Sequence, residues 1–288
     1  MSIRIQQFVS PYLTHFVGRK FVDPESDDYL DSPEREAAQY AVLEAILTSG
    51  YLADHPGAPR GVLGYGVEMD TPLCTNGMVS VSAVCFCDIP LDDLGLHMGK
   101  YGEFGLCLEK RFLIERGTSP VYYVATNAFV RERDAGDGAI HRQARGEYFN
   151  EMGALYGPLH AFMWTRKNAP AGLEDADILE VLKDHPKVRE HPAWERLCLR
   201  LDALVHFFDA YVLGHVKCFD DSLPDTHEKH FYMEREWRAV TRIDFALEDV
   251  AFVIVPQSYE PQLRDDFPAL PREKIRYAET CRRPGAST

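Results

Sequence analysis

Val250-Ala251-Phe252-Val253-Ile254-Val255 is apolar at every position and is halted by Pro256. Successive side chains of a strand point to opposite faces, so a strand with no polar position reads as a central one covered on both sides. The rest of the chain has to supply that cover. A second segment, Phe231-Tyr232-Met233-Glu234-Arg235-Glu236-Trp237-Arg238-Ala239-Val240, carries the opposite message. Alternation places Tyr232, Glu234, Glu236 and Arg238 on one face and Phe231, Met233, Arg235 and Trp237 on the other. Two carboxylates about 7 Å apart on one side are costly unless they meet water, a partner or a ligand. A solvated edge-strand ladder of Glu234, Glu236 and Arg238 meets that condition, and so does a ligand site.

With 288 residues the chain can bury a substantial core, and 45 Asp+Glu against 31 Lys+Arg give a net charge of −14. That balance disfavours non-specific binding to DNA or to anionic membrane, since no local basic patch offsets it. The first residues lack the apolar run of a signal peptide, and no stretch is apolar enough to span a bilayer. A cytoplasmic protein with reduced thiols is the expectation for seven irregularly spaced cysteines. Cys85-Phe86-Cys87 is too short a spacing for a zinc knuckle, and both thiols read as small core side chains of one strand face.

In chain order, Gln7 to Phe16 reads as a strand with His15 near its end. A helix begins at Ser32-Pro33-Glu34, repeats apolar residues through Tyr40, Leu43 and Leu47, and ends at Gly50. Residues 53 to 77 read as a long loop, Val79 to Ile89 as a buried strand, and Asp92 to Lys100 as a short helix. Phe104 to Leu108 and Pro120 to Val124 are further strands. From Arg131 to Asp220 the pattern turns helical, at Asn150 to Trp164, Asp175 to Lys183 and Ala193 to Val212. Strands return over Phe231 to Ile243 and at Val250, and the last 18 residues read as loosely attached. The expected fold is therefore α+β, one domain over 1–288, with two small, mostly antiparallel sheets and a helical insert at about 131–220.

No P-loop, nucleophile elbow or H-E-x-x-H is present. His227-Glu228-Lys229-His230 offers two imidazoles three apart, which a polar loop explains as well as a metal does, and His206 and His215 read as structural. The remaining candidates are His15, Asp88, His97, Tyr101, Glu234, Glu236 and Arg238, dispersed in sequence as active-site groups commonly are.

Several blocks carry a family likeness: Leu13-Thr14-His15-Phe16, Val84-Cys85-Phe86-Cys87-Asp88-Ile89-Pro90-Leu91, Lys100-Tyr101-Gly102-Glu103-Phe104-Gly105-Leu106, Glu234-Arg235-Glu236-Trp237-Arg238 and Phe252-Val253-Ile254-Val255-Pro256. Together they resemble the AbiGi family. That resemblance implies a role in abortive infection against phage, as an antitoxin partnered with a nucleotidyltransferase-like toxin or engaging a phage-derived protein. The opening His-Phe and the helix ending Ile46-Leu47-Thr48-Ser49-Gly50 also resemble DarT-type ADP-ribosyltransferases. This second resemblance implies an ADP-ribosyltransferase-like core and NAD as substrate. His15 would bond the adenosine-side ribose, Tyr101 would stack on nicotinamide, and Glu236 would hold the nicotinamide ribose. Glu234 would orient the acceptor or pair with Arg238, with Asp88 and Arg238 also at the cofactor. Tyr65, Tyr122 or Tyr123 could replace Tyr101. A carboxylate beside the ribose suits such chemistry, because glycosidic cleavage passes through an oxocarbenium-like state.

Overall fold

The computed structural model describes residues 10–18, 32–55, 57–61, 63–68, 71–134, 140–151, 156, 160, 192–224, 227 and 230–281. The chain divides into two compact units, one formed by 1–63, 82–121 and 225–288 and the other by 64–81 and 122–224. The expected insert at 131–220 falls inside the second unit, which also takes in residues 64–81.

The first unit is built on seven strands: β1 (Tyr12–Phe16), β2 (Val84–Cys87), β3 (Gly105–Glu109), β4 (Ser119–Pro120), β5 (Glu236–Ala239), β6 (Val250–Val255) and β7 (Ile275–Tyr277). They lie in the order β7-β6-β3-β1-β2-β5-β4, antiparallel throughout except for the parallel pair β6 and β7. One seven-stranded sheet thus stands where two small ones were expected. The all-apolar run is an interior strand, as its composition demands. Val253 and Val255 join the cluster that contains Leu13, Phe86, Leu106 and Leu108, while Ile254 joins Phe16, Cys87 and Cys107 on the opposite face. Each fully buried Leu of this kind contributes about 1.5–3 kcal/mol.

Each of the two clusters is met by a helix. Helix α1 (Ser32–Ser49) sends Tyr40, Leu43 and Leu47 into the first cluster, and Gly50 ends it with φ 67°, a left-handed turn that suits glycine. Helix α2 (Gly95–Tyr101) places Met98 and Tyr101 on the second cluster. A two-stranded pair, Tyr51–Leu52 with Ile243–Asp244, adds to the same unit.

The strand read over Phe231 to Ile243 is shorter than expected. Phe231–Glu234 forms a 3-10 turn, Arg235 adopts φ 44°, and the ladder begins only at Glu236. A left-handed residue cannot continue a pleat, so Glu234 and Glu236 do not share one strand face. The strand expected over Val79 to Ile89 is likewise two: Val79–Val81 pairs with Tyr65–Val67 in the second unit, and β2 belongs to the first. Strand Tyr65–Val67 and the 3-10 turn Leu73–Thr75 also interrupt the loop expected over 53 to 77.

The second unit contains the antiparallel pair Phe129–Asp134 and Ile140–Ala144, where a helical character was expected. It also holds a parallel pair, Tyr122–Ala125 with Val216–Phe219. Asn76, at φ 60°, clamps the latter strand through Nδ2 to Cys218 O at 2.9 Å and Cys218 N to Oδ1 at 2.6 Å. Helix Pro192–Phe207 runs into a π-turn at Phe208–Val212, close to the expected 193–212. The helix expected at 175–183 lies outside the described residues, and that at 150–164 lies mostly outside them. Among the described residues no helix is long and apolar enough to cross a membrane.

Candidate functional site

The turn that replaces the expected strand start is what organises the charged residues. Arg235 N donates to Tyr232 O at 3.3 Å to close the 3-10 turn, and Arg235 O accepts from Asp88 N at 3.1 Å. The two glutamates that flank this left-handed residue take different partners. Glu234 is 4% exposed and its Oε1 accepts from the Tyr101 hydroxyl at 2.7 Å, with Lys100 Nζ 3.6 Å away. Glu236 is 6% exposed and its Oε1 accepts from Arg238 Nε at 2.6 Å. Arg238 thus pairs with Glu236, while Tyr101 and Lys100 meet Glu234. Desolvation of either carboxylate would be costly alone, and each is offset by a cation or a phenol at hydrogen-bond range.

Asp88 joins the same corner. Lys110 Nζ lies 2.9 Å from both of its oxygens, Ser10 N donates to Oδ1 at 3.3 Å, and Arg235 Nη2 stands 4.0 Å from Oδ2. Tyr101 is held from the other side by His97, with ring centroids 4.9 Å apart, and His97 in turn lies 5.8 Å from Phe16. The corner thus gathers Asp88, Tyr101, Glu234, Glu236 and Arg238. Sequence reasoning missed Lys100 and Lys110, which supply two of its cations. Neither has a periodic signal, and only the adjacency of Lys100 to Tyr101 could have drawn attention to it.

His15 stands apart from this corner. Thr14, Cys87 and Glu236 occupy matched register positions on β1, β2 and β5, so their side chains share one face of the sheet. His15 follows Thr14 and therefore faces the other way, where its ring lies 5.8 Å from Phe86. Its Nδ1 bonds Cys85 O at 2.8 Å, and because a carbonyl only accepts, Nδ1 carries the hydrogen. Burial pushes the imidazole pKa below its usual value, against an opposing effect of that bond. The imidazole and the late carboxylate, expected to converge on one nucleotide, thus project from opposite faces.

The alternative tyrosines 65, 122 and 123 all belong to the second unit. Of the two thiols read as core side chains, Cys87 is buried and Cys85 is exposed. Burial raises the Cys87 thiol far above its ordinary value and pushes Cys107 up to about 12, so both stay protonated and unreactive at neutral pH. All seven cysteines are free. His230 N donates to His227 O at 2.9 Å, closing a turn.

Residues 71–136 match the family described as "Putative abortive phage resistance protein AbiGi, antitoxin". The chain is also 30% identical over 95 residues to the abortive phage resistance protein AbiGi of Lactococcus lactis subsp. cremoris, a match covering 31% of this chain and 38% of that relative. The match therefore spans well under half the relative's length. No solved structure matches the chain. The family match contains Asp88, Lys100, Tyr101 and Lys110 but stops short of Glu234, Glu236 and Arg238.

Proposed function

We propose that the chain serves abortive infection against phage as an antitoxin-type binding protein, which engages a partner toxin and does not turn over NAD. The observation that carries this reading is the similarity of residues 71–136 to the AbiGi family, described as an antitoxin. The engaged state of the carboxylates supports it: Glu236 is paired with Arg238, Glu234 with Tyr101 and Lys100, and His15 faces away from both. A net charge of −14 favours a partner with a basic surface, such as a nucleotidyltransferase-type toxin. Co-expression with the product of an adjacent gene tests the proposal. A complex that weakens as salt is raised, and that survives Glu236→Gln in a folded protein, is the expected outcome. Failure to bind any neighbouring gene product would overturn it.

A second reading, an ADP-ribosyltransferase-like enzyme using NAD, is favoured by one observation. Tyr101, Glu234, Glu236 and Arg238 meet at a single corner with the Glu-x-Glu spacing that chemistry uses. It requires that NAD raise the melting temperature and that a modified product form in cell extract, with Glu236→Gln abolishing turnover. Absence of both effects removes it.

A further inference from the structure

The first unit contains a charged cluster that neither reading uses. Arg60, Arg116 and Arg242 come from three separate segments, so no basic run in the sequence marks them, and they gather at Asp244. Arg242 donates from Nε to Asp244 Oδ1 at 2.8 Å, and its Nη2 lies 2.7 Å from the same oxygen. Arg60 Nε stands 3.0 Å from Oδ2, and Arg116 Nε donates to the Asp244 backbone carbonyl at 3.4 Å. Glu115, which precedes Arg116, is taken up by Arg111 Nε at 3.1 Å. Three positive charges against the one carboxylate of Asp244 leave an excess of two, in a chain of net charge −14.

Two of the three guanidinium groups are held flat on rings. Arg242 lies 3.7 Å from the centroid of Tyr51, whose hydroxyl accepts from Gly57 N at 2.7 Å. Arg116 lies 3.5 Å from the centroid of Phe112 and donates from Nη1 to Phe112 O at 3.1 Å. A stacked guanidinium presents a fixed fork and loses little freedom when it meets a ligand. Arg60 is exposed, Asp244 is partly so, and Gly61 leaves open space beside Arg60 where a side chain would stand. Forks of this kind suit carboxylates and phosphates, and the charge decides between them. A carboxylate would leave one positive charge over, whereas a phosphate monoester carries about −1.5 to −2 at neutral pH and matches the excess. A polynucleotide would set further phosphates against the negative charge of the whole chain, so a single monoester is the fitting ligand.

We propose that Arg60, Arg116 and Arg242 form a binding site for a phosphate monoester dianion. Asp244 is then the internal anion that holds the three together and competes with the ligand for their donors.

Isothermal titration of the intact chain at low ionic strength tests this, with inorganic phosphate, O-phosphoserine and a nucleoside 5′-monophosphate as ligands and acetate as the singly charged control. The phosphates should bind several-fold more tightly than acetate. A gain from the seryl part, from the nucleoside part, or from neither identifies the source as a phosphorylated side chain, a nucleotide or free phosphate. Arg60 is 81% exposed and meets only Asp244 among the described residues, so Arg60→Met should weaken binding several-fold with melting unchanged. Arg111→Met removes an exposed arginine of the same charge that is paired elsewhere, and should leave binding as it is. Asp244→Asn removes the competing anion and should tighten binding several-fold, which a cluster serving only as internal ion pairs would not do. Should that variant fail to fold, the comparison of Arg60→Met with Arg111→Met decides alone. Phosphates that bind no better than acetate, equal losses in the two arginine variants, or weaker binding by a folded Asp244→Asn would overturn the assignment.

Discussion

Replacing Arg238 by Met tests whether Glu236 is a structural strut. The carboxylate side chain is 6% exposed and Arg238 18%, and the bond between them is 2.6 Å long. Removing one partner of a buried ion pair costs about 3–5 kcal/mol, because the remaining charge is left without compensation. Water reaches the arginine in part, which lowers the figure to about 2–3 kcal/mol for this pair. With a urea m-value of about 2 kcal/mol/M, the midpoint should fall by about 1–1.5 M. Trp237 lies between the two residues in β5, so in a background with Trp164 and Trp194 replaced by Phe its fluorescence reports the first unit. The double variant Glu236→Gln, Arg238→Met removes both charges and should recover most of the loss. If Arg238→Met lowers stability by less than about 0.5 kcal/mol, the size of an ordinary surface substitution, Glu236 does not depend on Arg238 and the reasoning fails.

Tyr101→Phe deletes a hydroxyl that donates to a nearly buried carboxylate, so urea unfolding should register a loss of about 1.5–3 kcal/mol. Gly102→Ala should destabilise by more than about 1 kcal/mol, because its φ of 87° is unfavourable for alanine and the added Cβ would collide with the Gln39 side chain. Near-wild-type melting of this variant would contradict both reasons. His15 sets a pH dependence of definite sign. Its pKa is lowered in the folded chain, whereas the unfolded chain binds a proton near 6.5, so stability should fall as pH drops below 6.5. His15→Gln should flatten the melting temperature between about pH 6.5 and 5, and an unchanged slope would refute burial as the cause.

What could be read from the sequence depended on whether one residue type enforced one conformation. Val250–Val255 has no polar position, so only an interior strand accommodates it, and β6 is one. Helix α1 likewise starts at Ser32 and stops before Gly50, whose φ of 67° is the left-handed turn that glycine signals. The alternation through Glu234 misled because a 3-10 turn carrying a left-handed arginine has no sequence signature, whereas glycine or asparagine at that position would have given one. The pair Phe129–Asp134 and Ile140–Ala144 was hidden by its charge, though Gly136-Asp137-Gly138 between them is a turn signal. His15 was legible as a residue near a strand end, but its face was not. That depends on the register of Thr14 with Cys87, which no local pattern encodes.

The electrostatics of the corner separate its role from that of the surface. Asp88, Glu234 and Glu236 are met there by Lys100, Lys110, Arg235 and Arg238, so three carboxylates face four cations. In a chain of net charge −14, the unbalanced negative charge must therefore lie elsewhere. A basic partner attracted by long-range forces is steered by that excess and gains little from a corner that is already neutralised. Substitutions at the corner should accordingly lower stability while leaving the salt dependence of association unchanged. Reversing exposed carboxylates such as Glu109 and Glu115 should do the opposite, reducing the association rate at low salt with melting preserved. If Glu236→Gln instead altered the salt dependence of binding in a fully stable protein, the corner itself would be part of the contact, and its carboxylates could not be the internal struts described above.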